Sequence, residues 1–378
     1  MLIDLVDRYK EALHNEPSLK IEPYKLKEGV YVKLNPDKSW EENKKEVEDR
    51  YLIVEKNTQI IEKRELFEWF QIRDYYSSVL NDDLNKAIDL PARKIHSTNY
   101  LTIFAKEDVL LTNNVFSKVE KKKHIEYFYN QLEKSYTKIY DVYPITAKKT
   151  DEKKEQLEKR EHFFQMYYSH LLDALQSESR KKRIEICKNF ILQHLDDILS
   201  FFIKLKEKHP YKNYIKIFIE ASENEYETES KIYLLPRIFT TADYNAIAGN
   251  DIVGLPSGDI TMNSKKPFYM LRTMETKAPI RVSLEEAMLR KDLYKWLESK
   301  GKFKTHVYKY NNMFRKGNDT DSRSAYHFSI NANGSIDFYE NVPFIESNEF
   351  EFYIENITGA LEKVNNDYVK KYYQPIVN

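Results

Sequence analysis

The sequence predicts an α+β fold in three parts. These are a mixed α/β N-terminal part over residues 1–117, a central helical module over 118–212, and a C-terminal β-rich α+β part over 213–378. Three observations carry this. Short runs near both ends of the chain alternate polar and apolar residues with period two, as half-buried strands do. From Lys118 to His209 glycine is absent and Pro144 is the only proline, while apolar residues recur at helical steps. Near the C-terminus Asn331-Ala332-Asn333-Gly334 separates two alternating runs, and Asn-Gly takes positive φ at little cost, which marks a hairpin.

The elements follow in order. Residues 1–14 read as an amphipathic helix, Tyr24–Lys27 and Val30–Leu34 as strands, Tyr51–Val54 as a third strand, and Gln59 to about Leu80 as a helix. Lys94 to Asn99 form a polar turn feeding the apolar strand that ends at Lys106. In the helical module, Phe163, Met166, Tyr167, His170 and Leu171 share one apolar face, and Phe190, Leu195, Ile198, Leu199 and Phe202 another. Its charge runs, Lys121–Lys123, Lys148–Arg160 and Arg180–Arg183, read as solvated helix faces.

In the third part, Tyr214–Ile219 and Lys231–Leu235 read as strands on either side of an acidic, solvent-exposed loop, Glu220–Glu229. Ser283-Leu284-Glu285-Glu286 is a capping box, so a helix starts at Leu284 and stops near Gly301. Leu289, Leu293, Trp296 and Leu297 form its buried face, with Arg290, Lys291 and Lys295 towards solvent. Tyr326–Ile330 and Ser335–Tyr339 are the arms of the hairpin, and a final helix covers Ile357 to Tyr372.

Composition excludes several functions. A 378-residue chain with 41% hydrophobic residues buries a sizeable core, so disorder is set aside. Sixty basic residues balance sixty acidic ones, so only regional charge can indicate a partner. The single cysteine, Cys187, allows neither an intrachain disulfide nor a Cys-based zinc site, fits a reducing cytosol, and reads as an inert core thiol. The charged N-terminus is no signal peptide and no run of about 18 apolar residues occurs, so a cytoplasmic protein without membrane contact is expected. Eight glycines, with no Gly-Lys-Ser/Thr loop and no Gly-x-Gly-x-x-Gly, speak against an NTPase or dinucleotide enzyme. The nine histidines form no His-Glu-x-x-His motif; Asp243 with Asp251, or Glu349 with Glu351, could hold magnesium if the fold brought a lysine near. No cofactor and no catalytic residue is expected.

The regional asymmetry lies between Asn263 and Lys316, where fourteen basic and five acidic residues give +9. Within it Lys302 to Tyr310 alternates as a strand, placing Lys302, Lys304, His306, Tyr308 and Tyr310 on one face. Cations interleaved with aromatics can neutralise phosphates and stack bases. A sheet face made soluble by lysine has the same pattern.

Three stretches carry a resemblance: Lys94-Ile95-His96-Ser97-Thr98-Asn99-Tyr100 leading into Phe104-Ala105-Lys106; Ile252-Val253-Gly254-Leu255-Pro256 followed by Met262-Asn263-Ser264-Lys265-Lys266-Pro267-Phe268; and Val282-Ser283-Leu284-Glu285-Glu286-Ala287 ending in Leu293-Tyr294-Lys295-Trp296-Leu297. Together they resemble the large subunit of the type I-B CRISPR interference (Cascade) complex. The resemblance implies a non-catalytic protein of antiviral defence that sits at the 5′ end of the guide RNA. Such a protein reads the protospacer-adjacent motif in duplex DNA and helps open it, beside other subunits of the effector complex, and a helicase-nuclease recruited in trans makes the cut. Family members are often longer and carry a cysteine zinc finger; with one cysteine, zinc is not carried over, and a truncated or minimal variant stays open.

The expected nucleic-acid contacts are Lys94, His96, Ser97, Asn99, Asn263, Lys265, Lys266, Arg272, Lys277, Lys302, Lys304, His306, Tyr308 and Tyr310. Two other classes compete: a structural subunit whose basic segment meets an acidic protein, and a metal-dependent nuclease.

Overall fold

The computed structural model describes residues 3–21, 24–55, 63–78, 94–112, 115, 117–256 and 281–299, and five strands between 306 and 364. The fold is α+β and divides into two compact units, Met1–Gly301 and Lys302–Asn378. The first unit holds, in chain order, α1 (Ile3–Asn15), β1 (Gly29–Leu34), α2 (Trp40–Glu46), β2 (Tyr51–Val54), α3 (Arg64–Tyr76), β3 (Thr102–Lys106), α4 (Glu107–Leu111) and α5 (Lys118–Tyr136). It continues with α6 (Thr150–Tyr167), α7 (Ser169–Gln176), α8 (Glu178–Gln193), α9 (Leu195–Lys208), β4 (Tyr214–Ile219), α10 (Glu223–Leu234), β5 (Ala246–Ala248), β6 (Asp251–Gly254), β7 (Val282–Ser283) and α11 (Leu284–Ser299).

A four-stranded sheet, order β2-β1-β4-β3, centres this unit, with β1 and β4 parallel and the outer pairs antiparallel. The expected boundaries at residues 117 and 212 both fall inside it, because β4 lies between β1 and β3. β4 is buried on both faces. Ile215, Ile217 and Ile219 line one; Phe218 on the other meets Phe70 at 5.2 Å and Phe104 at 5.1 Å between ring centroids. A strand covered on both faces reads as a nearly continuous apolar run. Lys216 is the exception. Its ammonium meets both oxygens of Asp74 on α3 at 2.8 Å and lies over the rings of Tyr31 and Phe104. Burial pushes that amine below the ordinary lysine range, and Asp74 opposes the shift. Gly29 begins β1 where a Cβ would stand 2.4 Å from the Tyr214 carbonyl oxygen, so only glycine lets the parallel strands approach.

Helices α5 to α9 form the expected helical module, with Phe164, Leu172, Ile184, Ile191, Ile198 and Phe202 in its core. Its details differ from the heptad reading. Met166 and Tyr167 are exposed and so is His170, because the helix breaks at Tyr168 (φ −128°, ψ 22°) and the apolar phase does not run through from α6 to α7. Cys187 is fully buried, and burial pushes its thiol up to about 12.

Other expectations are overturned. Tyr24–Lys27 is not a strand; the Tyr24 carbonyl accepts from Gln71 Nε2 at 2.6 Å instead of from a ladder. Glu220–Glu229 is not an exposed loop and Lys231–Leu235 is not a strand. The Ser222 hydroxyl accepts from the Glu225 N–H, so both runs become α10, whose inner face buries Tyr226, Glu229, Ser230 and Tyr233. The charge runs are not wholly solvated either: Lys121 is 5% exposed, and Arg180 is buried in a bidentate pair with Glu229 at 2.6 and 2.9 Å.

The second unit contains the sheet β10-β9-β8, from β8 (His306–Lys309), β9 (Ala325–Ile330) and β10 (Ile336–Val342), all antiparallel. The hairpin expected around Asn333-Gly334 is present as β9 and β10. A separate pair joins β11 (Phe352–Glu355) to β12 (Leu361–Val364). β12 replaces the middle of the helix expected over Ile357–Tyr372, because pairing with β11 overrides the local pattern.

Candidate nucleic-acid interface

The described part of one stretch, residues 252–256, pairs with β7 ahead of α11, and the other two reach the C-terminal end of α3, at Ser77 from Thr98 and Asn99 and at Tyr75 and Ser78 from α11. Residues 94–106 approach that end first. Lys94 is exposed in a left-handed conformation (φ 63°), and Ile95 bridges Ala105. His96 is half-buried, with its N–H on the Phe104 carbonyl at 2.6 Å and its ring edge-on to Tyr214. Ser97 and Asn99 are turned inward. The Ser97 hydroxyl accepts from the Phe104 N–H at 2.7 Å, and Asn99 Oδ1 accepts from the Leu101 N–H at 3.0 Å and the Thr102 hydroxyl at 3.1 Å. Asn99 Nδ2 donates to Ser77 Oγ at 3.1 Å, while Thr98 Oγ1 donates to the Ser77 carbonyl at 3.0 Å.

This corrects the expected polar loop. Ser97 is 2% exposed and Asn99 is fully buried, so both are committed to shaping the turn and to docking it on α3, and neither can reach a ligand. Of the four residues expected here, Lys94 presents charge to solvent.

The second and third stretches are joined by hydrogen bonds. β6 pairs with β7 through Val253↔Ser283 and Gly254↔Val282, and Pro256 bridges Phe239. A Cβ on Gly254 would lie 2.2 Å from Asn245 Oδ1 and 2.8 Å from the Phe239 ring, so this glycine is demanded by packing. The short β6/β7 ladder holds residues 256 and 281 near one another and so gathers both ends of the intervening segment. Arg281, exposed at the second end, donates from Nε to the Tyr244 carbonyl at 2.5 Å.

From β7 the chain enters α11, where the Ser283 hydroxyl accepts from the Glu286 N–H at 3.1 Å, the serine half of the expected capping box. Leu293 and Trp296 are buried as expected, but the cations are not directed to solvent. Arg290 is 6% exposed and donates from Nε and Nη2 to Glu286 Oε1 at 2.9 and 2.6 Å. Lys291 is 9% exposed and donates to Asp292 Oδ1 at 2.9 Å, which also accepts from the Tyr75 hydroxyl at 2.7 Å. Lys295 is half-buried, donates to Ser78 Oγ and lies over the Tyr75 ring. Burial would raise the Asp292 carboxyl, yet Lys291, Tyr75 and Lys295 together hold it below the ordinary carboxylate range. α11 packs against α1 and the turn Pro17–Lys20, and Tyr75 of α3 reaches Asp292 and lies under the Lys291 ammonium, so charged groups here take internal partners.

Asn263, Lys265, Lys266, Arg272, Lys277, Lys302, Lys304 and Tyr310 lie outside the described residues. His306 and Tyr308 lie on β8, in register with Phe328 and Tyr326 of β9. Among the described residues no three His, Cys, Asp or Glu side chains come together as metal ligands, and Asp251 instead accepts from the Tyr168 hydroxyl at 3.4 Å. Among the described residues no helix is long and apolar enough to cross a membrane.

Sequence reasoning missed the inward polar junction of Tyr75, Ser77, Ser78, Asn99, Asp292 and Lys295. The available signal was the cluster of small polar residues at the end of α3, which local pattern alone cannot pair with residues 217 positions away. Compared with models of protein families, with curated proteins and with solved structures, the chain shows no match to any of them.

Proposed function

We propose that this chain is a non-catalytic nucleic-acid-binding protein, the large subunit of a type I-B CRISPR effector complex that acts in the cytoplasm. In that role it recognises the protospacer-adjacent motif in duplex DNA and aids opening directed by the guide RNA, with a helicase-nuclease recruited in trans. What supports this reading is the +9 charge of the segment from Asn263 to Lys316, of whose cations Arg290, Lys291 and Lys295 are engaged internally. Both ends of the segment that holds Asn263, Lys265, Lys266, Arg272 and Lys277 are gathered at β6 and β7, a frame on which cations from distant positions would act together. The inward turn of Ser97, Asn99, Arg290 and Lys291 assigns these residues to the frame rather than to the contact surface.

Anisotropy of the full chain with labelled duplexes tests this. If six or more cations meet phosphates, affinity falls about a thousandfold between roughly 50 and 200 mM salt. Duplexes differing in the flanking trinucleotide should also differ in affinity, each disfavoured base pair costing about 1–3 kcal/mol. A flat salt response would overturn the reading. Salt-dependent binding without sequence preference would leave general nucleic-acid binding alone.

A further inference from the structure

A groove of about 1140 Å³ opens in the first unit between the turn Pro17–Lys20, α3 and α10. Its floor is apolar and aromatic, made by Ile21, Phe67, Ile72 and Tyr76. Its rim carries three carboxylates, Glu68, Glu223 and Glu227, against two cations. Both cations are engaged. Arg64 lies along its own helix with Nε on Glu68 at 2.8 Å. Lys20 stands over the Tyr76 ring at 5.1 Å, with its ammonium 3.9 Å from Glu227.

Lys20 thereby displays the seat that this groove offers a cation, an aromatic face closed by a carboxylate. Glu223 repeats half of that seat one turn earlier on α10, and among the described residues it makes no ion pair. It is exposed, in the first turn of α10. Burial raises the Tyr76 phenol above its ordinary range, and Glu227 and Glu223 add to the shift, so both carboxylates bear on the groove floor.

A phosphate backbone meets repulsion at such a rim, whereas a basic protein segment meets attraction. We propose that the groove is a protein-docking site. Its occupant is a segment of a partner protein with an aliphatic or aromatic anchor flanked by lysine or arginine, the anchor resting on Phe67 and Ile72 and one cation against Glu223. This surface is independent of the nucleic-acid reading, and either can fail alone.

The test uses the full chain and a fluorescein-labelled hexapeptide with a Leu-Trp core flanked by lysines and arginines. Saturable binding is expected, weakened about tenfold by Glu223→Lys and less by Glu223→Gln. Phe67→Ala is expected to weaken it as well, through the lost anchor contact. Neither a peptide with glutamates in place of its cations nor an oligothymidine should displace the probe. Glu223 is exposed, and circular dichroism with the urea midpoint establishes the fold of each variant before binding is read. The proposal is overturned if the basic peptide does not bind, if Glu223→Lys binds it unchanged, or if the acidic peptide or the oligothymidine competes.

Discussion

Two regions around α3 treat charge in opposite ways. Towards β4 and α11, Lys216, Lys291 and Lys295 are drawn inward onto Asp74, Asp292 and Ser78, and over the rings of Tyr31, Phe104 and Tyr75. Towards α10, the carboxylates Glu68, Glu223 and Glu227 stay on the rim of an open groove. The first region uses charge to fix how elements pack; the second presents it to solvent. A count of charges along the sequence therefore does not map onto surface potential, because ion pairs formed across more than a hundred residues, Lys216 with Asp74 and Arg50 with Glu220, cancel part of it.

The contrast is sharpest at Lys216. Removing one member of a buried pair leaves an unpaired buried charge and typically costs about 3–5 kcal/mol. Lys216→Met should therefore lower the urea midpoint by a corresponding amount, and the double variant Lys216→Met/Asp74→Leu should recover most of it, because both desolvation costs vanish together. If the single variant stays within about 1 kcal/mol of the parent, Lys216 is not committed to packing and the division between the two regions collapses.

Asn99 gives the next largest effect. Asn99→Ala strands the Leu101 N–H and the Ser77 hydroxyl in a buried turn, at a cost of about 1–3 kcal/mol. Folded Asn99→Ala protein should bind duplex DNA as the parent does, since the side chain is fully buried. A large loss of affinity at full foldedness would return Asn99 to the contact surface.

Acidification tests the α11 junction. The folded carboxyl of Asp292 lies below its unfolded counterpart of about 3.9, so its contribution is fully present above that value and is lost as pH falls through the folded one. Asp292→Asn should flatten this part of the acid-unfolding curve while lowering stability at pH 7. An unchanged acid limb would show that Lys291 and Tyr75 do not hold the ionised form.

Much of the fold was legible in short-range pattern. β1, β2, β4, the helical module, the serine cap at Ser283 and the hairpin of β9 with β10 all follow from periodicity and turn chemistry. What was illegible depended on partners far along the chain. Glu229 reads as a loop residue until Arg180 from α8 pairs with it, and Lys291 reads as solvated until the Tyr75 ring of α3 meets it. Of the candidate site, the motif positions were legible but their roles were not. Ser97 and Asn99 carry the residue types of a binding loop, and the same hydrogen-bonding capacity serves a buried turn equally well.

Lys94 offers the smallest effect and separates the two uses of charge most directly. Its left-handed backbone (φ 63°) is one that asparagine tolerates better than lysine, and the side chain is exposed. Lys94→Asn should leave stability unchanged or raise it by less than about 1 kcal/mol. It also removes one exposed cation from the stretch 94–106. If Lys94 meets a phosphate, the variant should weaken duplex binding about equally for all flanking sequences and reduce the salt slope by about one. A variant as stable as the parent that keeps the parental slope would place the contact surface wholly outside residues 94–106.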